Sequence, residues 1–227
     1  MIELILSQLQ SIGGPVIVLL ILLSVAAAAI TFVKIIEFAR MGVGRHGPAR
    51  EAVRLWETGD RDGALRQLDG ESACLPRVLS RVMQAAQDPN LAPEAVREDG
   101  FGFALDLLTR LRRHLRTLDT IVQAAPMLGL LGTVLGMIDA FGKLELGGGS
   151  VDPSQLAGGI WVALLTTALG LIVAIPFYFV TTWLEGRIER ERVAMETAMA
   201  MLLARNTAGA AAGLSAGSAI GARAAAG

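Results

Sequence analysis

The sequence is short of nearly everything that marks an enzyme or a disulfide-built domain. It has one cysteine, Cys74, which excludes an internal disulfide framework. Its two histidines, His46 and His114, are too few and too far apart to suggest a metal site. No CxxC, HExxH, GxxxxGKS/T or GxSxG occurs, so the usual signatures of redox, zinc, phosphate-cradling and acyl-transfer chemistry are all missing. No enzyme activity, cofactor or nucleic-acid partner is expected on these grounds. Charge is also scarce. Asp, Glu, Lys and Arg make up 18% of the 227 residues, where a soluble domain carries about 25%.

What fills the space is apolar: 53% of the residues are hydrophobic. Three stretches lack charge for long enough to cross a bilayer, which takes about 20 apolar residues. The first is 16–33, closed by Lys34; the second is 120–138, between Asp119 and Asp139; the third is 153–184, between Asp152 and Glu185. The third exceeds one crossing and predicts tilt, or helix continuing past the membrane surface. The fold class expected is an all-α membrane protein. Its three transmembrane helices are 16–37, 120–142 and 156–184, with long cytoplasmic helical extensions. The first span reads as a retained helix and not a signal peptide, because residues 1–15 contain no Lys or Arg. Residues 2–12 read as a short amphipathic helix at the interface, broken from the span by Gly13, Gly14 and Pro15.

Basic residues set the orientation. None precede the first span, and only Lys143 lies between the second and third. Lys34, Arg40, Arg112, Arg113, Arg116, Arg187 and Arg190 flank the opposite ends. The expected topology is therefore residues 1–15 outside, a cytoplasmic helical 38–119 and a short outer loop 143–155. A cytoplasmic C-terminal helix 185–205 follows, then a disordered Ala/Gly tail 206–227 with almost nothing large to bury. Cys74 falls on the reducing side and reads as an ordinary small apolar residue.

Within the cytoplasmic segment, 48–58 and 61–68 read as a helix pair turning at Gly59 and Asp60, and 75–87 as a further helix. Asp88, Pro89 and Asn90 make a turn, and Pro93 suits the first position of the next helix. From Glu94 the helical pattern persists into span two. Leu105, Leu108, Leu111, Leu115 and Leu118 form a packing stripe at three- and four-residue spacing, which predicts one long helix. Past span three, Ile188, Ala194, Met195, Ala198, Met199 and Leu202 supply an apolar face.

Span two reads APMLGLLGTVLGM over 125–137, and span three ALLTTALGLIVAIP over 163–176. Pro126 and Pro176 each remove a backbone donor and are kink positions. Gly129, Gly132, Gly136 and Gly170 are small residues that let helices approach closely in lipid. Thr133, Thr166 and Thr167 are the only other polar groups in those two stretches. Such threonines ordinarily bond a carbonyl of their own helix or cement helix contacts, so structural duty leads on composition alone. Asp139 and Lys143, with Trp161, Tyr178 and Trp183, read most simply as interface anchors. No ionisable residue lies at the centre of any span, so the chain by itself supplies no titrating proton carrier.

Together the stretches 19–38, 125–141, 152–160 and 163–176 resemble the MotA/TolQ/ExbB proton-channel family, and three spans with one large cytoplasmic segment resemble its ExbB/TolQ branch. The resemblance implies a homopentamer of long helices around a pore. A small single-span ExbD- or TolR-like partner would bring the titrating Asp, and a TonB- or TolA-like transducer would receive the work. It also implies that Thr133 and Thr167 match the family's two pore threonines, with Thr166 beside them, which reverses the preference for structural duty. Pro126 and Pro176 match family prolines. One departure stands out: where that branch usually has a Glu early in span three, this chain has Val162. The client stays open on that account, and so does the ion, proton or sodium. The alternative reading is a membrane-anchored helical assembly protein without ion flux.

Overall fold

In the computed structural model of the protein, residues 14–146 and 153–224 are described, with the backbone alone from 205 onward. The expected interfacial helix 2–12 and residues 147–152 of the expected loop between the second and third spans lie outside the described residues. Among the described residues seven helices follow in order: α1 Gly14–Arg40, α2 Gly47–Thr58, α3 Arg61–Leu68, α4 Cys74–Ala85, α5 Pro93–Arg112, α6 Leu115–Leu146 and α7 Pro153–Ala224. No strand occurs among the described residues. The chain divides into two compact units. One is Met1–Ile35 with Arg113–Leu184, the other Ile36–Arg112 with Glu185–Gly227.

The first unit is three apolar helices, in stretches long and apolar enough by composition to cross a membrane. Its inner core contacts are apolar. Val16 and Leu20 of α1 meet Ala125 of α6 and Ala174 of α7, and Ala27 meets Leu118 and Ile121. The outer faces carry Leu22, Val25, Phe32, Met127, Leu130, Ile138, Leu164, Ile172 and Phe179, all more than half exposed. A face this continuously apolar has no stable place in water and suits lipid or a second apolar surface.

Helices α6 and α7 touch through backbone. A Cβ placed on Gly129 would stand 2.9 Å from the Thr166 carbonyl oxygen and 3.0 Å from Thr167 Cα. One on Gly132 would fall 2.5 Å from Thr166 Oγ1, and one on Gly136 3.0 Å from Ala163 Cβ. From the other side, a Cβ on Gly170 would lie 2.6 Å from the Ala125 carbonyl oxygen. Both helices run on through their internal prolines, Pro126 and Pro176.

The second unit is built as a water-soluble domain would be. Gly59 closes α2 with φ +91, and Asp60 opens α3 by accepting the Gly63 N–H at 2.9 Å. Such a cap is worth about 1 kcal/mol. Ala52, Ala64, Val78, Leu79, Met83, Ile188, Met195 and Met199 are fully buried. A Cβ on Gly100 of α5 would meet Val82 of α4 at 2.6 Å and Met199 of α7 at 3.4 Å, so three helices converge there. Glu191 of α7 is 1% exposed. Its Oε2 accepts the Gly44 N–H at 2.9 Å and lies 2.8 Å from His46 Nε2. That pins the loop after α1, whose Gly42 and Gly44 have φ +58 and +89.

Two expectations differ from the structure. The helix from Glu94 does not run unbroken into span two: it stops at Arg112 and restarts at Leu115, with His114 at φ +65. His tolerates the left-handed region better than most non-glycine residues. The leucine stripe still buries Leu108, Leu111, Leu115 and Leu118, while Leu105 is 66% exposed. At the other end, α7 continues as helix to Ala224, where a disordered tail was expected from Asn206. The tail is rich in alanine, the strongest helix former, which needs no burial to favour the helix.

Gly170→Val forces a branched side chain onto the Ala125 backbone, and overpacking of this kind costs about 1–3 kcal/mol. It should lower the thermal unfolding temperature in detergent. Gly186→Ala, with no atom within 4 Å of the new Cβ, should raise it by up to about 1 kcal/mol worth of stability. A Gly170→Val protein as stable as the parent would remove the close crossing from the fold. In the second unit, Cys74 is fully buried. Burial first, then the Glu191 charge, pushes its thiol up to about 12. At pH 8 about one thiol in ten thousand is thiolate, so maleimide should leave the folded protein unlabelled and modify it quickly in SDS. Labelling of the folded protein at a free-thiol rate would contradict the packing of α4.

Candidate functional site: hydroxyls at the α6–α7 crossing

Thr133, Thr166 and Thr167 meet one stretch of α6 backbone but do not share one environment. Thr166 is completely buried. Its hydroxyl donates to the Ala163 carbonyl at 2.7 Å and stands 3.2 Å from the Gly129 carbonyl oxygen. It fills the space that Gly132 leaves empty. Thr167, half-buried, donates across the crossing to the same Gly129 carbonyl at 3.1 Å. Thr133, also half-buried, donates within its own helix to the Leu130 carbonyl at 2.6 Å. Thr166 therefore sits in the helix contact itself, while Thr133 and Thr167 retain an open side.

The hydroxyl protons of all three are committed to carbonyl oxygens. A hydroxyl has one proton and two lone pairs. The partly open Thr133 and Thr167 therefore present acceptors to whatever faces them. Water, hydronium or a protonated carboxyl group fits such a surface, and an ionised carboxylate does not.

Of the remaining residues singled out in the sequence, Gly129, Gly132, Gly136 and Gly170 are buried in the crossing. Pro126 is half-buried, Pro176 is exposed, and Val162 is half-buried. Asp139 and Lys143 pair with each other at 2.7 Å on α6. Trp161, Tyr178 and Trp183 are each at least half exposed, as belt residues are. Lys34 is not an exposed stop at the end of the first span but is 1% exposed. Glu145 belongs to no motif in the sequence. With Thr133, Val134, Met137, Ile138, Phe141 and Gly142, it lines a groove of about 620 Å³ along α6. The recurrence of 133, 137, 141 and 145 at four-residue spacing was the available signal.

These geometries fall inside a region with known relatives. A family model described as the MotA/TolQ/ExbB proton channel family matches residues 71–197, which take in α4, α5, α6 and the membrane part of α7. A putative biopolymer transport protein ExbB homolog from Methanothermobacter thermautotrophicus is 36% identical over 135 residues, 60% of this chain and 46% of that protein. A putative biopolymer transport protein ExbB-like 3 from Synechocystis sp. is 30% identical over 169 residues, 72% of this chain and 77% of the relative. The biopolymer transport protein ExbB of Xanthomonas campestris pv. campestris is 29% identical over 187 residues, 74% of this chain and 71% of the relative. The chain thus spans about half the length of the first of these relatives and more than two thirds of the other two. With over half of its residues matched by the family model and three apolar helices in its fold, the chain belongs to the MotA/TolQ/ExbB proton channel family, on its ExbB side.

Proposed function

We propose that this chain is the scaffold subunit of an inner-membrane energising complex of the ExbB kind, five copies of which surround a pore and conduct protons together with a small single-span partner. Family membership and the three apolar helices support a multi-pass inner-membrane location. The distribution of Lys and Arg supports a periplasmic N-terminus and a cytoplasmic C-terminus. The names of the relatives support biopolymer transport as the work performed, with a TonB- or TolA-like transducer as the recipient.

The observation that carries the reading is the donor bookkeeping at the crossing. No Asp, Glu, Lys, Arg or His occurs in 16–33, 120–138 or 153–184, so the titrating group must come from another chain. The open threonines, Thr133 and Thr167, offer lone pairs to it. A partner carboxyl is accepted there in its protonated form, which is the form that carries a proton through a low-dielectric region. Thr166, buried, holds the α6–α7 spacing that sets the position of Thr167. Proton movement down its gradient would then turn or shift the partner against the scaffold, and no covalent catalysis is involved.

A second reading, a membrane-anchored assembly protein without ion flux, draws on the same bonds. Threonines that donate to backbone carbonyls are ordinary helix cement. The Thr133→Val, Thr167→Val double variant separates the two. Valine keeps the shape, and loss of the one interhelical bond costs only about 0.6 kcal/mol. In liposomes containing the chain and its single-span partner, the double variant should lose at least about tenfold in proton uptake, equivalent to about 1.4 kcal/mol of barrier. Native mass spectrometry should still find five scaffold copies and two of the partner. Unchanged uptake in the double variant would return the threonines to packing duty.

A further inference from the structure

The Thr133 face of α6 does not end at Thr133. Thr133, Met137, Phe141 and Glu145 succeed one another at four-residue intervals, a ridge that drifts only about 40° per step and rises about 18 Å in all. With Val134, Ile138 and Gly142 they line one groove. Polar groups occur only at its two ends, the Thr133 hydroxyl and the Glu145 carboxylate. Just below Glu145 the groove is open, since no heavy atom lies within 4 Å of a Cβ placed on Gly142.

Among the described residues, the charges around Glu145 leave it uncompensated. Lys143 is the nearest cation in sequence, and its Nζ lies 2.7 Å from Asp139 Oδ2. Asp139, with Ala140 beside it turned into the helix packing, lies outside the groove. Glu145 is exposed and makes no ion pair among the described residues. Two carboxylates and one ammonium between 139 and 145 leave one net negative charge, and the groove end carries it.

We propose that Glu145 is the cation-capturing carboxylate at the mouth of the Thr133 groove, drawing a monovalent cation, hydronium or sodium, toward the threonine level. The inference rests on the proposed function, in which this face of α6 looks onto the pore. In the proposed assembly this exposed apolar face of α6 becomes part of a pore wall, and a charge at the rim of such a low-dielectric wall raises the local cation concentration. Repetition of the carboxylate by the symmetry of the assembly makes a ring of the kind that favours cations. Met137 and Phe141 offer no oxygen to a hard cation, so capture is placed at the rim and not along the wall.

The test uses the full chain with its single-span partner in liposomes. Flux is driven by a pH gradient in one series and a sodium gradient in the other, with ionic strength set by choline chloride. At 0.01 M the field of a carboxylate reaches about 30 Å, and at 1 M about 3 Å. Glu145→Gln should lower the flux by about tenfold at low ionic strength, approach the parent at 1 M, and be rescued by Glu145→Asp. A fall in one series alone supports the role and identifies the ion. Parent-like flux at low ionic strength overturns it, and so does a loss that is equal at both salt concentrations and not rescued by Asp. If the Thr133→Val, Thr167→Val protein is blocked while Glu145→Gln matches the parent, only the capture role falls. If the parent itself passes no ion in either series, the proposed function falls and the capture role with it.

Discussion

Inside a bilayer the hydrophobic effect gives helices no reason to prefer one another to lipid, so close packing and hydrogen bonds must hold them together. The α6–α7 crossing meets that constraint with glycine. Gly129, Gly132, Gly136 and Gly170 let backbone meet backbone, and a single carbonyl, that of Gly129, receives the Thr167 hydroxyl across the gap. The bond and the close approach depend on each other. A Cβ at Gly129 would sit 3.0 Å from Thr167 Cα, push the helices apart and take the hydroxyl out of reach. The open sides of Thr133 and Thr167, and the groove that runs from Thr133, are positioned by this one contact.

The same chain uses glycine differently in its other unit. Gly42, Gly44, Gly59 and Gly70 all have positive φ and serve turns and helix ends, where glycine avoids the strain of a side chain in the left-handed region. There the polar groups are handled as in water. Asp60 caps α3, and Arg81 holds Asp99 through two bonds at 2.7 and 2.8 Å, which keeps that carboxyl below its usual range. The exception is Glu191, taken out of water and satisfied on one oxygen by Gly44 and His46. A buried carboxylate is expensive to strand, so the loop it binds is held more firmly than its length suggests.

Much of this was legible in the sequence because the signals were local. Charge-free runs located the three apolar helices, Gly59 and Asp60 marked the turn between α2 and α3, and Pro93 opens α5 where its missing N–H does no harm. What was not legible depends on rotation and partners. Thr166 and Thr167 are neighbours in sequence, yet a turn of about 100° between them buries one completely and leaves the other half open. The break at His114 was hidden because the leucine spacing continues across it. Glu191 reads as one more charge on an exposed helix until the glycine loop is seen wrapped against it. Glu145 was passed over because a carboxylate near the end of a span is usually an interface anchor. Only the groove beneath it distinguishes it from Asp139.

The absence of ionisable groups from the middle of the spans fits the proposed function as a division of labour. A scaffold carboxylate beside the partner's Asp would either repel it or share its proton, and in both cases the titration would belong to the pair and not to the moving part. Threonines whose protons are tied to carbonyls would avoid that coupling. On the proposed function they would accept from a protonated carboxyl and lose that bond when the proton leaves. Deprotonation would then weaken the contact between partner and scaffold, which is the condition for the partner to move. Val162, where the resembled family branch usually has Glu, would carry the same logic further under the proposed function: with one fewer carboxylate at the start of the third span, more of the binding difference between the partner's two protonation states would fall on Thr133 and Thr167.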